Sequence, residues 1–294
     1  MLFGAHVSAA GGISNAIDRI EAIGGNAVQV FTQSPRMWKP TQHSEEQLER
    51  FRARRREARI RYVSCHALYL VNLASRDKEI RSKSFDALQA TMETAREIEA
   101  DSVVFHVGSH LGYGFDKAVK IVTPALRELL ELTTEDLWLC LENAAGAGGT
   151  IGRSIDELAV LCDELDGHPR LGVCLDSCHW WASGVDVTDA ETLDEALADL
   201  DSRLGLERLR VLHVNDSKTP LGSNRDRHEN LPHGEIGREG LAAFLSEPRF
   251  EGLPALLEVA GPDGKGPGVE QVECARALRA EGLAARAARS REPS

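Results

Sequence analysis

Nine residues of types that commonly bind metal ions lie where short apolar segments of this sequence end or pass into the next loop. The segments read SCHA, VVFHVGSH, LCLEN, VCLDSCH, VLHVND with the following DRH, and LLEV. The candidates are His66, His106, Glu142, Asp176, His179, His213, Asp226, His228 and Glu258. Mixed imidazole and carboxylate ligands are typical of zinc, with manganese and iron as competitors. The repeated placement predicts a polynuclear metal site and hence a metallohydrolase.

Three of the carboxylates lie on segments that are otherwise apolar. Glu142, Asp176 and Glu258 belong to LCLEN, VCLDS and ALLEV, and a buried, unpaired carboxylate is very costly. A single histidine on a strand, in contrast, is commonly no more than a hydrogen-bonded core residue. Metal ions would compensate the carboxylates and would account for the histidines as well.

Two local pairs bear on the number of ions. Asp176-x-x-His179 places two ligand types where the chain leaves its strand, and Asp226-x-His228 places two side chains on one side of an extended loop. A catalytic zinc takes about three protein ligands, so the candidates are too many for one ion, and two or three ions sharing a bridging carboxylate is the natural number. Such sites suit phosphoryl chemistry, because the ions hold both the attacking and the leaving oxygen.

Strand-like segments alternate with amphipathic ones, which is the pattern of parallel βα units. The predicted strands are 2–8, 27–32, 62–67, 102–108, 137–143, 171–177, 210–216 and 255–261. Apolar residues recur at helical spacing between them, as in 45–59, 83–100, 117–133 and 154–165. The pattern predicts an α/β fold, a (β/α)8 TIM barrel with the metal site at the C-terminal ends of the strands, and a doubly wound sheet is the alternative. We expect a single domain over 1–285 and a frayed tail over 286–294.

The composition is that of an ordinary globular protein of 294 residues. No run approaches the roughly 18 apolar residues of a membrane span and the N-terminus has no secretory features, so we expect a cytoplasmic protein without membrane contact. Several cysteines lie in or beside the strands, which favours reduced thiols, and Cys174 and Cys178 are alternative thiolate ligands.

The net charge of −12 argues against a nucleic-acid partner. Three divalent cations would bring it to about −6 and would dominate the local field.

Three further loops carry candidates for binding. The glycine-rich stretch 143–152 imitates a dinucleotide fingerprint but lacks the G-x-G-x-x-G spacing and the acidic partner, so we interpret it as a flexible βα loop and expect no nucleotide cofactor. Arg36, Tyr69 and Leu70 follow the second and third strands and face the same mouth of the barrel. An aromatic and an apolar residue there fit insertion into a base stack, and loop packing is the alternative.

Together these stretches resemble the endonuclease IV family of apurinic/apyrimidinic endonucleases over nearly the whole chain. The resemblance is carried by GAHVSAAGG (4–12), FTQSPRMW (31–38), HALYLVNLAS (66–75), FHVGSH (105–110), LENAAGAG (141–148), VCLDSCHWWASG (173–184), HVNDSK (213–218), DRHEN (226–230) and LEVAGP (257–262). CLDSCH, HVNDSK and DRHEN are highly specific in combination.

The resemblance implies three zinc ions, with Mn²⁺ or Fe²⁺ as substitutes, and a ligand set for each. The sets are His66, His106 and Glu142 for the first ion, Glu142, Asp176, His213 and Glu258 for the second, and His179, Asp226 and His228 for the third. It also implies base excision repair of double-stranded DNA: hydrolysis of the phosphodiester 5′ to an abasic site, leaving 3′-hydroxyl and 5′-deoxyribose phosphate ends. Glu142 and Glu258 are then the catalytic candidates, Arg36, Tyr69 and Leu70 are the DNA contacts, and we expect a monomer.

The chain departs from the family pattern after DRHEN. Pro232-His233-Gly234 stands where the family usually has Gly-Glu-Gly, which predicts altered surroundings for the third ion. Leu68 and Met37 also differ from common counterparts, and these changes bear on damage preference more than on the core reaction.

Two other functions are compatible with the sequence. A sugar isomerase or epimerase of the same barrel superfamily would hold one or two ions, so the third ligand set discriminates against it. A non-catalytic protein that binds damaged DNA would not need an open metal site.

Overall fold

The computed structural model describes residues 1–289, and eight parallel strands in it close into a barrel. The described residues form ten strands in all, eight in the barrel and two beside it: β1 (Leu2–His6), β2 (Ala27–Phe31), β3 (Tyr62–His66), β4 (Ser102–Phe105), β5 (Trp138–Glu142), β6 (Leu171–Asp176), β7 (Leu209–His213), β8 (Asp216–Ser217), β9 (His228–Glu229) and β10 (Pro254–Leu257). The order around the barrel is β1-β10-β7-β6-β5-β4-β3-β2, and β8 and β9 form a short antiparallel ribbon beside it. The predicted barrel is confirmed and the doubly wound alternative is wrong, because β1 pairs with both β2 and β10.

Helices cover the outside of the barrel between its strands. They are α1 (Asn15–Ala22), α2 (Glu45–Glu57), α3 (Lys78–Glu97), α4 (Phe115–Leu130), α5 (Ile155–Glu164), α6 (Ser177–Ser183), α7 (Ala190–Leu204), α8 (Gly237–Leu245) and α9 (Val269–Arg289). Short 3₁₀ turns occur at Ala147–Gly149, Leu206–Arg208 and Pro248–Phe250. In α4, for example, Val122, Leu126 and Leu129 recur at helical spacing and are buried against the barrel.

The inside of the barrel explains why the candidate ligands stand at strand ends. A buried cluster forms its floor: Leu2, Ala27, Tyr62, Val104, Cys140, Cys174, Val211 and Leu256. Side chains of a strand alternate between its two faces, so the residues two or four positions further along point inward as well. Those residues are His6, Gln29, His66, His106, Glu142, Asp176, His213 and Glu258. An apolar floor therefore carries a polar layer at the C-terminal mouth.

The C-terminal segment differs in part from the prediction. Residues 286–289, which we expected in a frayed tail, complete α9, while 290–294 lie outside the described residues. The sequence AARAAR has high helix propensity, and Arg286 Nη1 lies 3.5 Å from the Glu247 carboxylate. Among the described residues, none of the helices combines the length and the apolar character that crossing a bilayer requires.

Candidate metal centre

Glu142, at the end of β5, is buried among four histidine rings. Its Oε2 lies 3.1 Å from His66 Nε2 and 3.3 Å from His106 Nε2. Its Oε1 lies 2.9 Å from His213 Nδ1 and 3.3 Å from His179 Nδ1. Burial raises the pKa of Glu142, but His106 and His213 outweigh burial and hold the pKa well below its usual range. The side chain is therefore ionised, and its two oxygens face different groups of ligand atoms.

Glu142 belongs to two groups of ligand atoms. The first group is His66, His106 and Glu142, and the second group is Glu142, Asp176, His213 and Glu258. His66 is held in place by its Nδ1, which donates to the Ala67 carbonyl at 2.6 Å and so leaves Nε2 facing the carboxylate.

The second group combines three carboxylates with one imidazole. His213 Nδ1 lies 3.3 Å from Glu258 Oε2. Burial lowers the pKa of His213, but Glu258 and Glu142 outweigh it and raise the pKa to about 9. One imidazolium cannot balance three carboxylates, so this group retains negative charge that a divalent cation would neutralise.

The third group is His179, Asp226 and His228. Asp226 Oδ2 lies 3.3 Å from His179 Nε2, and Asp226 Oδ1 lies 3.1 Å from His228 Nε2. The ribbon of β8 and β9 carries His228 back over the mouth, where its Nε2 is 3.6 Å from Asp176 Oδ2. Burial lowers the pKa of His228, but Asp226 and Asp176 raise it to about 9. The ribbon was not predicted from the sequence.

The structure thus brings all nine candidate ligands together at one mouth of the barrel. Within each of the three groups, the ligand atoms lie within 4.8 Å of one another. Among the described residues, every ion pair that Glu142, Asp176, Asp226 and Glu258 form is with a histidine. Nitrogen and oxygen donors with excess negative charge fit divalent metal ions. The identity and number of the ions stay a prediction.

Two cysteines offer alternative ligand atoms in the same place. Cys174 lies near Glu142 and His213, and Cys178 lies near Asp176 and His228. Burial raises the pKa of the Cys174 thiol well above its usual range, and burial with the Asp176 charge raises the pKa of Cys178 to about 12. These surroundings favour neutral thiols, and hence the histidine and carboxylate donor sets.

Two asparagines that sequence reasoning missed support the ligands. Asn143 Oδ1 accepts from the Asp176 backbone N–H at 2.7 Å, and the Asn143 carbonyl accepts from His179 Nδ1 at 2.9 Å. Asn215 Nδ2 donates to Asp176 Oδ2 at 2.6 Å, while its Oδ1 accepts from the Glu258 N–H at 2.9 Å. Both stand directly after or close to a strand end in LEN and HVND, and a polar amide at such a position is the signal that could have found them.

The loop that contains His233 is held by the carboxylate of Asp216, which is not one of the candidate ligands. Asp216 is buried and accepts from the backbone N–H groups of Ser217, Gly234 and Ile236 at 2.8–3.0 Å. A Cβ at Gly234 would lie 2.4 Å from the Ser217 carbonyl oxygen, so glycine is required there. His233 itself is exposed. Its predicted effect on the third group stays a prediction.

The three candidate DNA-binding residues lie at one side of the mouth. Arg36 is exposed on the loop after β2, and Tyr69 and Leu70 lie on the loop after β3 with 64% and 36% of their surfaces exposed. The Tyr69 ring packs edge-on against Phe31 at a centroid distance of 5.2 Å. The backbone N–H of Tyr69 donates to the Pro35 carbonyl at 3.2 Å. Burial raises the pKa of Tyr69, and Glu258 and Asp226 raise it further, so the phenol lies in the field of the candidate ligands.

The sequence and the barrel fold of this chain have counterparts among known proteins. The family described as xylose isomerase-like TIM barrel matches residues 17–281. A curated relative, probable endonuclease 4 of Halothermothrix orenii, is 36% identical over 276 residues, which cover 94% of this chain and 99% of the relative. The crystal structure of endonuclease IV from Thermus thermophilus superposes with a TM-score of 0.83 at 36% identity, covering 96% of this chain and 100% of that one. The chain belongs to the endonuclease IV family.

A solved D-tagatose 3-epimerase-like protein shares the fold alone. Its TM-score is 0.69 at 17% identity, with 97% of each chain covered. The barrel by itself therefore does not distinguish sugar chemistry from nuclease chemistry.

Metal addition should stabilise the folded chain, because the three groups exist only when strands far apart in sequence are assembled. Starting from chelator-treated protein, we expect Zn²⁺ to raise the melting temperature, corresponding to about 4 kcal/mol at a free concentration a thousand times the Kd. Differential scanning fluorimetry measures this, and metal analysis of the desalted protein gives the number of ions bound.

Mg²⁺ at the same concentration is the control, since it prefers all-oxygen sites and should shift the melting temperature little. No stabilisation by zinc, manganese or ferrous iron would contradict the assignment of a metal centre.

Proposed function

We propose that this protein is a zinc-dependent DNA repair endonuclease that hydrolyses the phosphodiester 5′ to abasic sites in duplex DNA. The products would be a 3′-hydroxyl and a 5′-deoxyribose phosphate. Relatives named endonuclease 4 support a hydrolytic DNA endonuclease. The observation that carries the proposal is the third group, His179, Asp226 and His228, complete beside the first two.

The nine candidate ligands would hold three zinc ions. The first ion would be held by His66, His106 and Glu142, the second by Glu142, Asp176, His213 and Glu258, and the third by His179, Asp226 and His228. When bound, zinc ions activate water and neutralise the charge of a phosphodiester and its leaving oxygen.

Glu142 and Glu258 are the catalytic residues of this proposal, because both would touch the ions next to the reacting phosphate. Glu142 is fully enclosed and links the first and second groups. Glu258 is only partly buried and closes the second group at the mouth, where a phosphate can approach. Asn215 holds the backbone at Glu258 and the carboxylate of Asp176, so two ligands are set by one amide.

Arg36, Tyr69 and Leu70 would bind the DNA around the lesion. A guanidinium suits backbone phosphates, and an exposed ring beside an exposed leucine suits insertion into a base stack. Phe31 and Pro35 hold the Tyr69 ring and backbone before DNA arrives, so little conformational freedom is lost on binding. Tyr69 and Leu70 would thus act as a wedge between the stacked bases. The space opened in this way would favour extrusion of the abasic nucleotide, which costs less than extruding a paired base.

A sugar isomerase or epimerase on the same barrel is the competing proposal. It would use the first and second groups and would leave the third without a role. Metal analysis separates the two proposals, since three ions per chain favour the nuclease and one or two favour the epimerase.

Incision of a defined substrate tests the proposal directly. A 5′-labelled duplex with one synthetic tetrahydrofuran abasic site is incubated with the zinc-loaded protein, with and without chelator, beside an undamaged duplex. We expect one cut at the lesion, a 3′-end that a polymerase extends, and loss of cutting with chelator. Failure of the fully metal-loaded protein to cut would overturn the proposal, and cutting of the undamaged duplex would overturn its specificity.

The substitution Glu258→Gln removes a negative charge from the second group while preserving size. We expect incision to fall by more than about 100-fold, since changing even an outer partner of a metal ligand typically costs roughly 10- to 100-fold. Circular dichroism should show an intact fold. Glu239→Gln, at an exposed position on α8, is the matched control and should incise normally. Near-normal turnover of Glu258→Gln would exclude its catalytic role.

The substitution Tyr69→Ala removes the ring proposed to enter the base stack. We expect the Kd for abasic duplex to rise roughly 5- to 150-fold, the equivalent of about 1–3 kcal/mol for stacking on an aromatic ring. Fluorescence anisotropy in chelator-free buffer measures the Kd, and metal analysis should give an unchanged zinc content. Tyr69→Phe keeps the ring and should bind like the parent. Equal affinity of Tyr69→Ala and the parent would remove the wedge from the proposal.

A further inference from the structure

Gln29 is a fully buried amide that points into the barrel from β2, in the polar layer above Ala27. Its contacts reach three other strand ends. Oε1 lies 2.9 Å from His213 Nε2, and Nε2 lies 2.7 Å from Glu258 Oε1 and 3.1 Å from His6 Nδ1. One amide thus touches two candidate ligands of the second group and the histidine next to them.

The chemistry of these partners fixes the orientation of the amide. The Glu258 carboxylate can only accept hydrogen bonds, so the NH₂ group of Gln29 must face it. The Gln29 oxygen then faces His213 Nε2 and can only accept, so Nε2 carries a proton. The second N–H of the amide goes to His6 Nδ1, which makes His6 an acceptor at that atom and a brace for the amide.

This arrangement determines which nitrogen of His213 is free for an ion. With a proton on Nε2, the Nδ1 atom faces the second group, 2.9 Å from Glu142 Oε1. The other four candidate histidines present Nε2 to a carboxylate of their groups instead. In His66 and His179 the Nδ1 atom donates to a backbone carbonyl. In His213 the ring is turned the other way round, and the Gln29 side chain takes the place of that carbonyl.

We infer that Gln29 is a positioning residue for the second zinc: its amide sets His213 as an Nδ1 ligand and holds Glu258 Oε1, so that Glu258 Oε2 faces the same ion. The inference rests on the proposed function for its effect on catalysis, but not for its effect on metal binding. Gln29 lies inside the barrel, away from the surface that would meet DNA.

The test replaces Gln29 by methionine in the full chain, because Gln29→Met keeps length and volume and removes both hydrogen-bonding groups. We expect zinc affinity at one of the sites, measured by competition with a chromophoric chelator, to fall about 10- to 100-fold. For abasic duplex, kcat should fall by a similar factor while KM stays within about twofold.

Gln271→Met is the matched control. Gln271 on α9 is also buried and bonds with its side chain to the backbone N–H and carbonyl of Leu231. Because Gln271 has only a structural role, Gln271→Met should lower the melting temperature of the metal-free protein. Zinc affinity and kcat should stay at the parental values. Parental zinc affinity and kcat in folded Gln29→Met would overturn the inference.

A measurement on the unsubstituted protein decides the matter if Gln29→Met does not fold. Selective ¹⁵N-histidine labelling of the zinc-loaded chain reports which ring nitrogen is bound. We expect one zinc-bound ring protonated on Nε2 and the other bound rings protonated on Nδ1. Bound rings that are all protonated on Nδ1 would overturn the inference. If the parent binds zinc but does not cut abasic DNA, the proposed function fails, and the affinity and tautomer results still judge Gln29.

Discussion

Buried negative charge at the mouth of the barrel is the constraint on which the rest of this structure depends. Glu142 and Asp176 are almost completely excluded from solvent, and Glu258 stands beside them. Removing carboxylates from water costs several kcal/mol each unless cations are close. Protonated histidines supply part of the compensation, because Glu258 and Glu142 raise the pKa of His213 to about 9 in spite of its burial. Divalent ions would complete it, so that binding metal and keeping the mouth folded would be a single requirement.

Because side chains alternate between the two faces of each strand, this constraint leaves a recognisable pattern in the sequence. Each barrel strand must present an apolar side chain to the floor, and the next inward position reaches the mouth. Cys140 and Glu142 on β5, and Val211 and His213 on β7, follow this rule. The barrel and the convergence of the candidate ligands could therefore be predicted from local patterns alone. The end of α9 could not be predicted in this way, because the alanine-rich segment is compatible with either a helix or a frayed tail. The ion pair between Arg286 and Glu247, which favours the helix, forms only in the folded chain.

The hydrogen-bonded support that Gln29 gives to the ligands could not be predicted from the sequence. Gln29 meets His213 and Glu258 across 184 and 229 residues of chain, and that meeting depends on the register of β2 against the rest of the barrel. In the sequence Gln29 is a single polar residue in the strand AVQVF, and no spacing relates it to a partner. Asn143 and Asn215 are different, since both stand at strand ends and their side chains join strands that pair in chain order, β5 with β6 and β6 with β7. Local chemistry predicts candidate ligands, whereas tertiary register determines which atom of each would face an ion.

Binding of DNA would likewise depend on local charge at the mouth and not on the net charge of the whole chain. A chain with a net charge of −12 has little long-range attraction for a polyanion, and non-specific binding, which depends on phosphate neutralisation, should be weak and sensitive to salt. In the proposed function, attraction would come from ions in the mouth and from Arg36 at its edge. Tyr69 and Leu70 would contribute only where the duplex opens, and an abasic site opens most easily because it has no base pair to break. Weak general affinity then favours discrimination, since the binding free energy is concentrated on contacts that undamaged DNA does not make.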